Sequence, residues 1–462
     1  MKTNTYYDAC IIGGGISGLS VAYGLHKAGK SVAVLERSSA VGGAIQTSFE
    51  KNFLVDTGPN STLAKSEAME RYIKELGLED ERCFANEKAN SRYILKGGVI
   101  KKMPMSPPAF LKTDLLSWRG KLRVAREFFI SAPKDDRRES LAEFVERRLG
   151  REFLDYFINP FVSGVYAGRP EDLDVRAAFK KVWELEQNHG GLLRGAIALQ
   201  RSGKKSQDPS KGKLFSFKGG MQVLPAALSQ AIGNDRIFCE CTLEKLENAQ
   251  SGYTLHANAH GRDETFACKN VVFATPADVT GSLLESFSPD ATRIKSIPYA
   301  SVAVVYLGLR TEDVGRTLDG FGYLIPEKEQ REILGCIWNS TLFPHRAADD
   351  HVALTAFVGG TRKPEHVARE DGQLVDLAFD ELKETLQLKN RPVFQKVKKW
   401  QPAIPQYTMS HYQVEEIMET IERDNPGLYI TGNFRNGVSV ADCVENGYNL
   451  SRKITENEGS GK

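Results

Sequence analysis

Hydrophobic positions along the chain change period several times, and each change marks an element. Residues 9–12 are a short apolar run. After a glycine turn, Leu19, Ala22, Tyr23 and Leu25 recur at helical spacing as far as Gly29, and residues 31–35 form a second apolar run ending at Glu36. Residues 67–76 predict a short helix and Arg92 begins a strand. From about residue 107 to 203 helical spacing dominates. There Ser140-Leu141-Ala142-Glu143 is a capping box opening a helix that runs through Leu149 and stops at Gly150. Residues 201–213 (RSGKKSQDPSKGK) are polar and rich in breakers, which predicts a mobile surface loop. From Tyr299 the runs ASVAVVYLGL, GYLIP, ILGCIW and VALTAFVGG predict a largely antiparallel sheet, with a helix over 376–388. Residues 400–407 (WQPAIPQY) read as a proline-pinned loop. NVVFAT (270–275) and LYIT (428–431) have the look of short buried strands, and residues 437–442 open a last helix with Ala441, Val444 and Tyr448 helically spaced.

The chain has 462 residues, too many for one hydrophobic core, so two or three domains are expected. Lys and Arg total 61 against 59 acids, and this balance does not call for a nucleic-acid polyelectrolyte partner. Seven cysteines, without a CxxC or a paired framework, point to a reducing compartment and away from structural zinc. No apolar run of about 18 residues predicts a spanning helix. The first strand begins too early to leave room for a signal peptide. Lys112, Arg119, Lys121, Arg123 and Arg126 interleave with Leu111, Leu115, Leu116, Trp118, Phe128 and Phe129. That mixture is compatible with a membrane interface, although composition alone favours a helix with a basic solvent face. No Ser/His/Asp or Cys/His set stands out, and the eight histidines are scattered.

Gly13-Gly14-Gly15-Ile16-Ser17-Gly18 fits G-x-G-x-x-G between a strand and a helix. The glycines at 13, 15 and 18 serve a tight turn, close backbone approach to a pyrophosphate and close helix–strand packing. The helix N-terminus offers unpaired N–H groups to phosphate oxygens. Glu36 ends the second strand, placed to accept from a ribose hydroxyl pair, and its charge argues against NADP. A second glycine pair, Gly42-Gly43, lets the backbone press against a cofactor extending past its pyrophosphate. Residues 437–442 open a second helix whose N-terminus could face the far end of such a cofactor; alone, the stretch reads as a plain strand–loop–helix connection.

The pattern from Ile11 to Thr47 resembles the amine-oxidase-like flavoprotein superfamily, which binds FAD; most members carry Arg where this chain has Ala44. Further stretches resemble the protoporphyrinogen oxidase family within it: DTGPNS (56–61), NPFVSGVYAG (159–168), FSFKGG (215–220), GFG (320–322), LFP (342–344), FVGG (357–360) and WQPAIPQ (400–406). The resemblance implies an α/β, multi-domain (α+β) fold. A Rossmann-like FAD-binding domain would be assembled from 1–60, 214–290 and 405–462. A mainly antiparallel-sheet substrate domain would take 61–95 and 291–404, and a helical, membrane-associating domain 96–213. It implies oxidation of protoporphyrinogen IX by O2 with release of H2O2, through hydride transfer from a meso carbon to flavin N5, with no catalytic side chain assigned and no metal. Coproporphyrinogen III oxidation and other amine-oxidase-like chemistry are the alternatives. By position, Arg92 corresponds to the arginine pairing with a propionate. Leu324 and Ile337 correspond to aliphatic residues on one macrocycle face, and Phe357 to the aromatic on the other. Gly164 corresponds to a glycine whose carbonyl faces the pyrrole N–H groups. Cofactor contacts are expected from Gly13, Gly15, Ser17, Gly18, Glu36, Arg37, Gly42, Gly43, Gly58, Pro59, Asn60, Thr275, Trp400, Gly432, Asn433, Val438, Ser439 and Val440. The expected partners are the porphyrinogen, O2 and a membrane surface, with a homodimer left open. The expected location is the cytoplasmic face of a membrane, or its organelle equivalent.

Overall fold

The computed structural model describes residues 5–133, 136–201 and 212–459; most of the predicted loop at 201–213 lies outside them. Two seven-stranded sheets organise the chain. The first has the order Ile237–Phe238, Val32–Leu35, Tyr6–Ile12, Arg262–Phe273, Gly252–Ala259, Cys241–Ala249. Strand Arg262–Phe273 changes partners along its length. Its first half closes an antiparallel meander, and its last three residues pair in parallel with Leu428–Ile430. The strands pairing in parallel are buried on both faces, which is why they read as continuous apolar runs. Helices Ile16–Lys27, Val223–Ile232 and Val440–Gly459 cover one face, and helix His411–Asp424 covers the other.

The second sheet runs Phe394–Pro405, Tyr299–Arg310, His351–Gly359, Ile333–Trp338, Gly320–Leu324, Ser91–Lys96, Val99–Lys102. It is antiparallel except where Gly320–Leu324 meets Ser91–Lys96. The last strand, Val99–Lys102, lies beyond the expected start of the helical domain at 96. One face packs on helix Asp371–Leu386 through Leu374, Ala378 and Leu382. That helix begins five residues before the expected 376, because Glu370 and Gln373 form a capping box there. Residues 400–405, expected as a loop, belong to an edge strand. Proline lacks an N–H, and an edge strand has one side that needs none; the register also shifts opposite these residues, between Ala300 and Val302.

The helical layer forms over residues 107–201. Glu143 N–H donates to Ser140 Oγ (3.2 Å) and Ser140 N–H to Glu143 Oε2 (2.8 Å), completing the capping box. The basic–apolar mixture read at 111–129 divides on folding. Leu115 and Leu116 are core residues rather than surface ones, and the Arg123 guanidinium donates to the carbonyls of Glu146, Arg147 and Arg148, the last turn of a helix. Among the described residues no helix is long and apolar enough to cross a membrane.

Candidate functional site

The parallel strands of the first sheet end on one edge, where ligands of such sheets sit. Gly13 (φ +107°) makes the turn there; a Cβ would lie 2.8 Å from the Ala274 carbonyl oxygen. A Cβ on Gly18 would lie 2.0 Å from the Gly13 oxygen, so the helix can approach only as glycine. At Gly15 a Cβ would meet nothing within 4 Å, and no side chain caps the helix that starts at Ile16. Open space before uncapped N–H groups, Ser17 among them, is what a diphosphate requires. Gly42 bridges to Gly15, its N–H donating to the Gly14 oxygen at 2.8 Å, and Gly43 packs on Gly15. Glu36 is buried, and its carboxylate accepts from Gly14 N–H (2.7 Å) and Ser38 N–H (2.7 Å), leaving lone pairs for a ribose. Arg37 is exposed beside it.

The last helix brings a second N-terminus to this edge. Helices Ile16–Lys27 and Val440–Gly459 run side by side, Gly447 against Ser17 and Ser20, and Gly24 against Ser451. These contacts set the start of the later helix about one turn, roughly 5 Å, beyond the start of the earlier one. A cofactor whose ring lies past its pyrophosphate needs that offset. Ser439 caps the later helix, accepting from Asp442 N–H at 3.2 Å, and Val440 is buried. The loop before it is held by Tyr407, whose hydroxyl donates to the Asn433 carbonyl (3.0 Å) and accepts from Gly437 N–H (2.8 Å). Gly432 (φ +153°) precedes Asn433, and Val438 packs partly on the helical core. Gly58 lies so close to the Ala44 oxygen that a Cβ would sit 1.8 Å away. Pro59 and Asn60 follow it half-buried. Thr275 Oγ1 is 2.8 Å from Thr280 Oγ1, which ties it to the next helix.

The other nominated residues gather on the uncovered face of the second sheet. Strand pairing sets Leu324 beside Gly335, Gly335 beside Phe357, Gly322 beside Ile337, and Phe357 beside Val304. Leu324, Ile337 and Phe357 are half-buried and share this side. Opposite stands helix Asn159–Tyr166, with Phe161, Gly164 and Val165 exposed along one face. A Cβ on Gly164 would lie 2.9 Å from Leu324 Cδ2, so glycine sets how closely the helix meets the sheet. The Gly164 carbonyl falls in the last helical turn, where helices leave acceptors free. Arg92 is exposed on the strand beside Gly320–Leu324, its guanidinium 5.4 Å from the Phe321 ring. Trp400 Nε1 donates to the Thr57 carbonyl at 2.7 Å, which joins this face to the loop carrying Gly58.

Several residues that hold the two halves together were not picked out by sequence reasoning. Arg346 and Asp56 form a buried ion pair (2.7 Å), and Arg346 also donates to Ser216 Oγ at 2.6 Å. Burial pushes the Asp56 carboxyl up despite Arg346. His411 stacks on Tyr407 at 4.2 Å, and burial pushes its imidazole down to about 4. Arg362 donates to the carbonyl of Ile325 (2.7 Å) and to Asn159 Oδ1 (2.8 Å), clasping the sheet to the start of the helix that carries Gly164. Arg346, Arg362 and His411 lie outside any motif and carry no local signal of such pairing, and the DTGPNS stretch does not announce the partner of its Asp56.

Residues 16–455 match the family described as flavin containing amine oxidoreductase. Protoporphyrinogen oxidase 1, chloroplastic, of Arabidopsis thaliana is 33% identical over 97% of this chain and 88% of its own length. Coproporphyrinogen III oxidase of Bacillus subtilis is 29% identical over 95% of each. A solved structure from Exiguobacterium sp. 255-15 has the same fold, with a TM-score of 0.81 at 23% identity, covering 97% of this chain and 98% of that one.

Proposed function

The chain belongs to the flavin containing amine oxidoreductase family and uses FAD, and from that premise we propose that it oxidises protoporphyrinogen IX to protoporphyrin IX with O2 as acceptor. One observation carries the reading. The sheet face carrying Leu324, Ile337 and Phe357, met by Gly164 of the opposite helix and edged by Arg92, is the substrate slot of this reading, and the Trp400–Thr57 hydrogen bond joins it to the loop carrying Gly58. From the strand of Arg92 to that of Phe357 are three strand spacings, roughly 14 Å, a breadth suited to a tetrapyrrole rather than a simple amine.

Bound FAD would supply a two-electron acceptor for a hydride from the substrate and pass both electrons on to O2, giving H2O2, once for each of the three oxidations the product requires. The chain's own part is position. Leu324, Ile337 and Phe357 enclose the macrocycle and exclude water. Arg92 holds a propionate and fixes orientation. The Gly164 carbonyl accepts from pyrrole N–H groups. Gly15, Ser17 and the first turn of the helix from Ile16 hold the diphosphate, and Glu36 the ribose. The helix starting at Val440 directs its positive end toward the ring.

Anaerobic mixing of the holoenzyme with protoporphyrinogen IX is expected to bleach the oxidised-flavin band within a turnover; a band left unchanged would end the reading. The second reading, coproporphyrinogen III as substrate, is supported by the Bacillus relative. Its four propionates call for more cations than Arg92 alone, and kcat/KM for the two porphyrinogens decides between them. We further place the enzyme on a membrane surface, at the cytoplasmic face or its organelle equivalent. Exposed Trp118, Leu122 and Phe129 on the helical layer support that placement, and co-sedimentation with lipid vesicles tests it.

A further inference from the structure

A cleft of about 830 Å³ opens where the second sheet meets the helical layer. Lys96 reaches it from strand Ser91–Lys96, Lys328 from the turn after strand Gly320–Leu324, and Lys112, Trp118 and Lys121 from the helices at 107–125. Lys96 Nζ donates to the carbonyls of Asp114 (2.9 Å) and Leu115 (3.0 Å) and stands 4.5 Å from the Tyr156 ring centroid. Lys121 Nζ donates to the Leu111 carbonyl (2.8 Å) and stands 4.6 Å from the Trp118 ring. These neutral partners hold both ammonium groups in place without cancelling their charge. Lys328 is shared with Asp155, at 3.2 Å.

Two carboxylates line the cleft, and both are engaged. Asp114 is paired with Lys101, and Glu152 accepts from Ser117 N–H (2.8 Å) and Oγ (2.6 Å). Glu152 keeps its charge and faces Lys96 and Lys328, yet four lysines against these two acids leave the lining with an excess of positive charge. Its rim is apolar: Trp118 is 70% exposed, Leu122 one turn later 64%, and Leu111 59%. Six of the sixteen large exposed hydrophobic side chains among the described residues fall between Met105 and Phe129, so they concentrate in the segment that carries the cleft. A soluble phosphate would need the lysines but not the rim. A lipid supplies a phosphate for the first and an acyl boundary for the second.

We infer that the cleft seats the phosphate of an anionic phospholipid while Trp118 and Leu122 enter the interface. The inference rests on the membrane-surface reading above and adds a headgroup site to it. Arg92 and Lys96 stand on one strand, four residues or roughly 13 Å apart. A lipid held at Lys96 thus anchors the substrate slot close to the bilayer, where an apolar porphyrinogen is taken up.

The test is flotation of the holoenzyme with vesicles of phosphatidylcholine alone or with one-third phosphatidylglycerol, at physiological salt. The wild type is expected to bind the anionic vesicles at least tenfold more tightly. The double variant Lys112→Ala/Lys328→Ala loses most of that preference, each lysine contributing roughly fivefold, and Lys96→Met, which keeps the apolar stem, lowers it roughly fivefold. The distant pair Lys51→Ala/Lys383→Ala keeps the preference. Trp118→Ala weakens binding to both vesicle types alike. Equal binding of the two vesicle types, still sensitive to Trp118→Ala, would overturn the headgroup site and leave the membrane reading standing. Binding to neither vesicle would overturn both. An equal loss in the distant lysine pair, or abolition of the preference by inorganic phosphate matched to the lipid phosphate, would also overturn the site.

Discussion

The nucleotide edge of the first sheet and the slot face of the second are built by different means. At the nucleotide edge the parts are mostly backbone: glycines at 13, 15, 18, 42 and 43, an uncapped helix start, and one acid, Glu36, engaged by two N–H groups. At the slot the parts are side chains from four strands and a helix far apart in the chain, brought level by strand register and by the Gly164–Leu324 contact. The first design tolerates almost no change, because an atom added at Gly13, Gly18 or Gly42 collides with backbone and one added at Gly15 fills the space kept for the diphosphate. The second tolerates graded change, because each side chain contributes part of an apolar surface.

That contrast predicts an order of effects. The largest belongs to Gly18→Ala, whose Cβ would lie 2.0 Å from the Gly13 oxygen. It should yield protein that no longer retains FAD, read as loss of the flavin absorbance after gel filtration; a yellow, fully loaded variant would break the comparison at its root. Next comes Arg346→Met, which strands the buried Asp56 at the joint between the two regions. It should cost about 3–5 kcal/mol in chemical denaturation, and adding Asp56→Asn should recover part of the loss.

The third prediction concerns pH. His411 is held neutral in the fold, its imidazole pushed down to about 4, beneath the Tyr407 that positions the Asn433–Gly437 loop. Its folded value lies below the unfolded one, so the unfolded chain takes up the proton first as pH falls. Stability is therefore complete above the ordinary histidine value and is lost as pH falls from about 6.5 toward 4, by about 3 kcal/mol. Melting temperature should fall over that window together with FAD retention, and His411→Gln should flatten the profile. The smallest effect is that of Arg92→Ala, expected to raise KM for the porphyrinogen about tenfold or more, the size of one charge-assisted contact of roughly 1.5–3 kcal/mol, with FAD content unchanged. An unaltered KM would detach Arg92 from the slot and sharpen the contrast with Gly18.

Local chemistry made the nucleotide edge legible. Strand, turn, helix, strand and Glu36 follow one another within a single βαβ unit, so the spacing of residues along the chain is also their spacing around the site. The capping box at Ser140 was legible for the same reason. The run from Trp400 was misread because prolines signal a loop locally, whereas an edge position in a sheet is a property of the whole assembly. The amphipathic mixture at 111–129 was only half legible, since Leu115 and Leu116 turn inward once the helical layer packs.

The amino-acid order determined by itself that this chain carries a βαβ dinucleotide unit, a long helical stretch and a strand-rich second half, because each depends on short-range periodicity and turn residues. Only the tertiary structure decided that Arg92, Leu324, Ile337 and Phe357 share one face, that Gly164 sets its opposite wall, that Arg346 meets Asp56, and that four lysines from three segments converge on one cleft. Register, helix offset and pairing of distant charges are relations between segments, and their energies exist only when the segments are packed together.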